Sequence, residues 1–125
     1  MAGVYILRNG GVAISTAITI LQIKAGASNP VEIIRASCMQ PASEVSENNH
    51  IRWERKSAAA TVTIAVAGTT LNKLSSDNPT STLSLGTAAT GFTASAEGTP
   101  GDILGDHGFN NLNGYLWVPV PEERI

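Results

Sequence analysis

Asp102, Asp106 and His107 form the densest group of ionisable side chains in the sequence, and two carboxylates with an imidazole in so short a span could hold a divalent cation or pass a proton. Their setting argues against that chemistry. Thr99-Pro100-Gly101, Gly105 and Gly108 mark a loop, where Asp is favoured for turn formation alone, and neither a second His nor a thiolate stands nearby. His50 follows Asn48 and Asn49 at a loop-to-strand junction, and Glu122 and Glu123 are too close in sequence to face one another across a sugar. Asn9-Gly10-Gly11 lacks the Lys and the following helix of a phosphate-binding loop and reads as a hairpin turn. Ser15 and Ser37 sit in no Gly-x-Ser-x-Gly context. The chain therefore reads as non-enzymatic, with no catalytic, metal or cofactor residue and no small-molecule substrate.

Bulky apolar residues offer a different chemistry, that of contact. Trp53 and Trp117 both lie in strand-like contexts, where an indole is either core or an anchor between subunits. Leu83, Leu85, Phe92, Phe109, Tyr115 and the final Ile125 are the other candidates for subunit contacts. With two Trp, two Tyr and two Phe in all, the supply is thin for a carbohydrate or host-surface binding module, which needs exposed aromatics around a polar cleft.

The elements that must position these residues are strands. Residues 16–24 are rich in Ile and Thr, residues 31–39 put Ile34, Ala36 and Cys38 on one face, and Ile51 and Trp53 alternate with Arg52 and Glu54. Val62, Ile64 and Val66 alternate in the same way. Turn residues separate the runs at Asn9-Gly10-Gly11, residues 26–30, residues 43–49, Gly68, residues 75–79, Gly86 and Gly91, and no amphipathic helical stretch competes. The pattern predicts an all-β fold, an antiparallel β-sandwich or jelly-roll-like barrel, in one domain spanning residues 1–125. Residues 74–101 are Ser, Thr, Ala and Gly-rich and read as a long loop, or as an arm ordered by a neighbouring subunit.

Composition narrows the partners. A chain of 125 residues has enough apolar surface for one core, and charged residues make up only 14% of it, with a formal net charge of -2. The one basic cluster, Arg52, Arg55 and Lys56, is interrupted by Glu54, too weak a footprint for nucleic acid. No apolar run is long enough to span a bilayer, and residues 1–4 do not begin a secretory signal, so no membrane partner is expected. The single Cys38 lies in an apolar run and reads as a buried, reduced thiol, as expected of folding in a cytoplasm.

From Glu97-Gly98-Thr99-Pro100-Gly101-Asp102-Ile103-Leu104 through Gly108-Phe109-Asn110-Asn111-Leu112-Asn113-Gly114-Tyr115-Leu116-Trp117 to Val118-Pro119-Val120-Pro121-Glu122-Glu123-Arg124-Ile125, the chain resembles a family of small virion proteins of tailed bacteriophages and prophages. Asn29-Pro30-Val31-Glu32-Ile33-Ile34, Ser43-Glu44-Val45-Ser46-Glu47 and Arg52-Trp53-Glu54-Arg55-Lys56 extend the likeness over residues 16–125, with the last thirty distinctive. Such proteins resemble capsid decoration or cement subunits. The resemblance implies a β-sandwich that assembles as a homo-oligomer, a trimer being favoured, on the outside of a phage head against the major capsid protein or other virion proteins. A tail-tube or fibre subunit would use the same physics in a ring or helical array. Relatives continue past the Pro-Glu-Glu-Arg turn into further strands, so the expectation is either a shortened sequence or a sheet closed by a neighbour.

Overall fold

A computed structural model of the chain describes residues 3–40, 44–66 and 71–125. The expected turn at Gly68 and the first residue of the one at 43–49 lie outside the described residues. In chain order the strands are β1 (Tyr5–Ile6), β2 (Leu21–Gln22), β3 (Ala36–Cys38), β4 (Asn48–Arg55), β5 (Thr61–Ala65), β6 (Asn72–Lys73), β7 (Gly91–Ala96), β8 (Asp102–Asn110) and β9 (Tyr115–Trp117), followed by a 3-10 turn at Pro121–Glu123. Every strand pairing among the described residues is antiparallel, and the chain has the all-β, sandwich-like character that its period-two apolar pattern predicts.

Composition suggests one core, but the contacts gather the chain into two interleaved compact units. Unit 1 takes Met1–Pro30 with Ser57–Thr99, and unit 2 takes Val31–Lys56 with Pro100–Ile125. Unit 1 holds the three-stranded sheet β2-β7-β5 and the short β1-β6 ribbon; unit 2 holds the ribbons β3-β9 and β4-β8.

The reading of residues 74–101 as one long loop or arm needs correction, because 91–96 form β7, the middle strand of the unit 1 sheet. Low bulk is what placed this segment there. A Cβ on Gly91 would lie 2.4 Å from the carbonyl oxygen of Ile64 and equally near a Val62 methyl, so the bare backbone lets β7 press against β5. Thr93 then adopts a left-handed φ of 57° in mid-strand, and its N–H and that of Ala94 donate to the carbonyls of Ile20 and Thr19 at 3.1 and 2.8 Å. Residues 16–24, expected as one strand, thus pair only near their end: β2 itself is two residues long.

Val66, Leu71 and Phe92 form the buried cluster of unit 1, with Tyr5, Leu7 and Leu83 packed against it. Phe92, expected as a subunit-contact residue, is therefore core, and Leu83 supports that core, while Leu85 remains exposed. Elsewhere in unit 1 a polar side chain does the tying. Buried Gln22 donates from Nε2 to the carbonyls of Ala60 and Ala89 at 3.2 and 2.5 Å and accepts from Ala60 N–H at 2.7 Å. One side chain so satisfies three backbone groups around the starts of β5 and β7. Replacing it with Leu keeps the bulk but strands those groups, so Gln22→Leu should lower stability by roughly 3 kcal/mol in urea unfolding followed by far-ultraviolet circular dichroism. A loss below about 0.5 kcal/mol would contradict the bonding described.

Candidate functional site

The expected ionisable cluster is dispersed by strand geometry. Residues 102–110 are not a loop but the nine-residue strand β8, paired along its length with β4. Neighbouring residues of a strand point to opposite faces, so Asp106 and His107 part company. Asp106 stands opposite Arg52 on the exposed face, where its carboxylate accepts from Arg52 Nη2 at 3.4 Å and pairs with His50 Nε2. His107 lies opposite Ile51 on the other face. Asp102 pairs with Arg55 at the strand's far end, beyond a register shift between Trp53 and Glu54. Among the described residues, no three His, Cys, Asp or Glu side chains converge on a possible cation position. An exposed cross-strand charge cluster of this kind is worth a few tenths of a kcal/mol to about 1 kcal/mol.

What the strands bring together instead is the aromatic set. Register places Asn49, Ile51 and Trp53 of β4 opposite Phe109, His107 and Gly105 of β8, and Ala36 and Cys38 of β3 opposite Trp117 and Tyr115 of β9. Trp53 and Trp117 meet with ring centroids 5.0 Å apart, tilted by 33°. Tyr115 lies 5.8 Å from His107 and 5.7 Å from Phe109, and its hydroxyl accepts from Trp53 Nε1 at 3.1 Å. Each aromatic pair contributes about 0.5–1.5 kcal/mol beyond the area it covers. Gly105 makes this approach possible, since a Cβ there would stand 3.3 Å from Trp53 Cδ1 and 3.1 Å from His107 Nε2.

The cluster is only half-buried and borders a hollow of about 430 Å3 lined by Trp53, Leu104, Gly105, His107, Trp117, Glu123 and Ile125. Ile125 is held there by its carbonyl, which accepts from Ile33 N–H at 2.7 Å, and Arg124 Nη1 donates to Glu32 Oε1 at 2.8 Å beside it. Five of the expected contact candidates, Trp53, Phe109, Tyr115, Trp117 and Ile125, thus fall in unit 2 around one region, and Leu83, Leu85 and Phe92 fall in unit 1. Leu104 and Gly105 were not singled out by sequence, because the bulge that turns Leu104 toward the hollow is invisible in an alternating pattern.

A second feature of unit 2 is an apolar alternation at its end. Leu116, Val118 and Val120 recur at alternate positions and are 61%, 63% and 55% exposed. None of the Trp, Tyr, Phe, Leu, Ile, Val or Met side chains described in unit 2 is buried; its buried residues among those described are Asn111 and Pro119. Asn111 clamps the preceding loop, accepting from Glu47 N–H at 2.8 Å and donating to the carbonyl of Val45 at 2.9 Å. Cys38, expected to be buried, is half-buried and unpaired, and burial pushes its thiol above the usual range.

Compared with known proteins, the chain matches no family model, no curated protein and no solved structure.

Two measurements probe this geometry. Gly105→Ala should perturb the near-ultraviolet dichroism of the Trp53–Trp117 pair and cost about 1 kcal/mol by crowding. Gly108→Ala, whose Cβ would meet only the Asn49 carbonyl oxygen at 3.9 Å, should leave the spectrum unchanged. For Cys38 the neutral thiol is favoured in the fold, so iodoacetamide at pH 8 should react several-fold more slowly than with the unfolded chain. Because the unfolded chain loses this proton first, the thiol's contribution to stability is present below the unfolded pKa of about 8.5 and declines above it.

Proposed function

We propose that this chain is a non-enzymatic structural subunit that works by packing against copies of itself and neighbouring proteins, as a decoration or cement subunit on the head of a tailed bacteriophage. One observation supports the assembly reading above all others: unit 2 buries none of its described large apolar side chains, while Leu116, Val118 and Val120 form an exposed stripe and the Trp53–Trp117 pair opens onto a hollow. Large apolar side chains left bare at successive alternate positions are the mark of an interaction site. Covering what remains bare of the three stripe residues would contribute on the order of 1 kcal/mol at each, and symmetric repetition multiplies a modest gain over many sites.

The phage head and the trimer rest on the resemblance of residues 97–125 to small virion proteins. Low charge and an abundance of Ser and Thr suit a subunit laid over a shell, where its partners would be the major capsid protein and its own copies. The isolated chain folds in the host cytoplasm and ends on the outer surface of the virion.

The test joins solution behaviour to location. In sedimentation velocity the wild-type chain should self-associate in the micromolar range, with a blue shift of tryptophan emission as assembly also covers the hollow that both Trp residues line. Leu116→Asp with Val118→Asp should abolish both effects at unchanged strand content. Electron microscopy of particles carrying the protein should place it on the head exterior. Stacked rings would favour a tail tube instead, and a monomer that binds glycans saturably would overturn the proposal.

A further inference from the structure

The three-stranded sheet of unit 1 ends at β5, whose outer edge has no neighbouring strand among the described residues. Along the apolar face of β5, Val62 and Val66 are 2% and 6% exposed, yet Ile64 between them is 49% exposed. Same-face neighbours on a strand share a common cover, so a bare residue between two covered ones marks a side chain that is missing from above it. Ile64 borders a hollow of about 400 Å3 whose other walls include Ile6, Leu7, Val66 and Phe92. Beyond Val62, whose N–H donates to the Thr87 carbonyl at 2.7 Å, an edge without a strand neighbour therefore coincides with a socket walled by these apolar groups and also lined by Arg8, Asn9 and Asn72.

The same unit holds a strand-like segment without a sheet. Residues 11–17 read Gly-Val-Ala-Ile-Ser-Thr-Ala, with β-branched Val12, Ile14 and Thr16 alternating with small Ala13, Ser15 and Ala17, the pattern of a half-buried strand. All seven residues are nevertheless exposed and none belongs to a strand. Their backbone makes no hydrogen bond among the described residues. The chain is fastened on either side, by β1 before and by the Thr19 and Ile20 carbonyls after, and nothing lies within 4 Å of a Cβ built on Gly10 or Gly11. The segment is thus held at its ends and unpaired between them.

We propose that residues 11–17 of one copy add as an edge strand to β5 of a second copy, with Val12 or Ile14 filling the socket over Ile64. This rests on the reading of the chain as a self-assembling subunit and names one of its contacts. Strand addition draws its affinity from main-chain hydrogen bonds and its register from the side chains that enter the pocket. Donor and acceptor are different surfaces, so the contact is head-to-tail, closing either reciprocally between two copies or around a ring. The competing occupant is the segment of the same chain, folded back on β1 through Asn9-Gly10-Gly11; here β1 pairs with β6 instead.

Hydrogen exchange on the full chain, above and below its association midpoint, separates these outcomes. Alternate amides within residues 12–16, those that face β5, together with those of Thr63 and Ala65, should be slowed by about 100-fold or more in the assembled protein and exchange freely in the dilute monomer. Ile14→Pro combined with Ser15→Pro removes a main-chain donor from each edge of a segment whose backbone is bonded to nothing among the described residues, so a donor facing β5 is lost whichever way the added strand runs. It should abolish that protection and weaken association at least tenfold, while the monomer unfolds at the same urea concentration as wild type. Mixing an Ile14→Cys copy with an Ile64→Cys copy, both carrying Cys38→Ser, should give a covalent heterodimer on oxidation, because both side chains then lie on the same face. Assembly in which residues 12–16 still exchange freely would sink the strand exchange and leave the assembly reading standing. Protection that persists in the monomer would assign the segment to its own chain and overturn the proposal. A wild-type chain that stays monomeric at every concentration would remove the assembly reading and this contact together.

Discussion

A strand presents its residues alternately to two faces, and β9 carries large apolar groups on both. Tyr115 and Trp117 turn toward the aromatic cluster, while Leu116 between them and Val118 and Val120 beyond it meet water. Composition of this kind belongs to strands covered on both sides. The ribbons of unit 2, each only two strands wide, cannot supply that second cover, and two-stranded ribbons are at best marginally stable alone. The remaining features of unit 2 follow from that deficit. Its aromatics stay half-buried, its tail is pinned by the Ile33–Ile125 and Arg124–Glu32 bonds, and its most buried side chain is a hydrogen-bonding clamp, Asn111.

Unit 1 solves the same problem differently. Its cluster of Val66, Leu71 and Phe92 is small but covered, and Gln22 ties the loops around it by satisfying three backbone groups that would otherwise be stranded. Thr90 acts likewise, its hydroxyl accepting from Lys24 N–H at 3.1 Å. Polar clamps hold both units where apolar bulk is scarce, as expected of a sequence rich in Ala, Gly, Ser and Thr. They fix loops but remove little apolar surface from water, so they leave the exposed stripe of unit 2 as it is.

Much of the strand content was legible in the sequence. Alternation located β4 and β5, and the bulky residues before Pro119 located β9, because half-covered strands write period two into the chain. Two kinds of feature were not legible. Asp102, Asp106, Gly105 and Gly108 look like loop residues, yet the long register with β4 absorbs them: Asp106 gains Arg52 and His50 across the ribbon, and Gly105 accepts the Trp53 ring. β7 was hidden for the opposite reason, since Gly91 and its small neighbours serve close packing and carry no apolar alternation. Of the contact candidates, those near Trp117 lie together because aromatics concentrate there, whereas Phe92 is core because it belongs to β7, a strand that carries no alternation. The Leu116, Val118 and Val120 stripe was visible as alternation and was overshadowed by the aromatics between which it lies.

The central claim is that unit 2 closes its core only against another molecule. Its two tryptophans, the only ones in the chain, report on that unit alone. Urea unfolding followed by their fluorescence over a hundredfold range of protein concentration, on the order of 0.1 to 10 μM, tests it most directly, because mass action couples stability to concentration when association contributes. The account predicts a midpoint that climbs as the protein is concentrated. A midpoint that stays constant across the range, with tryptophan emission already blue-shifted at the lowest concentration, would contradict it.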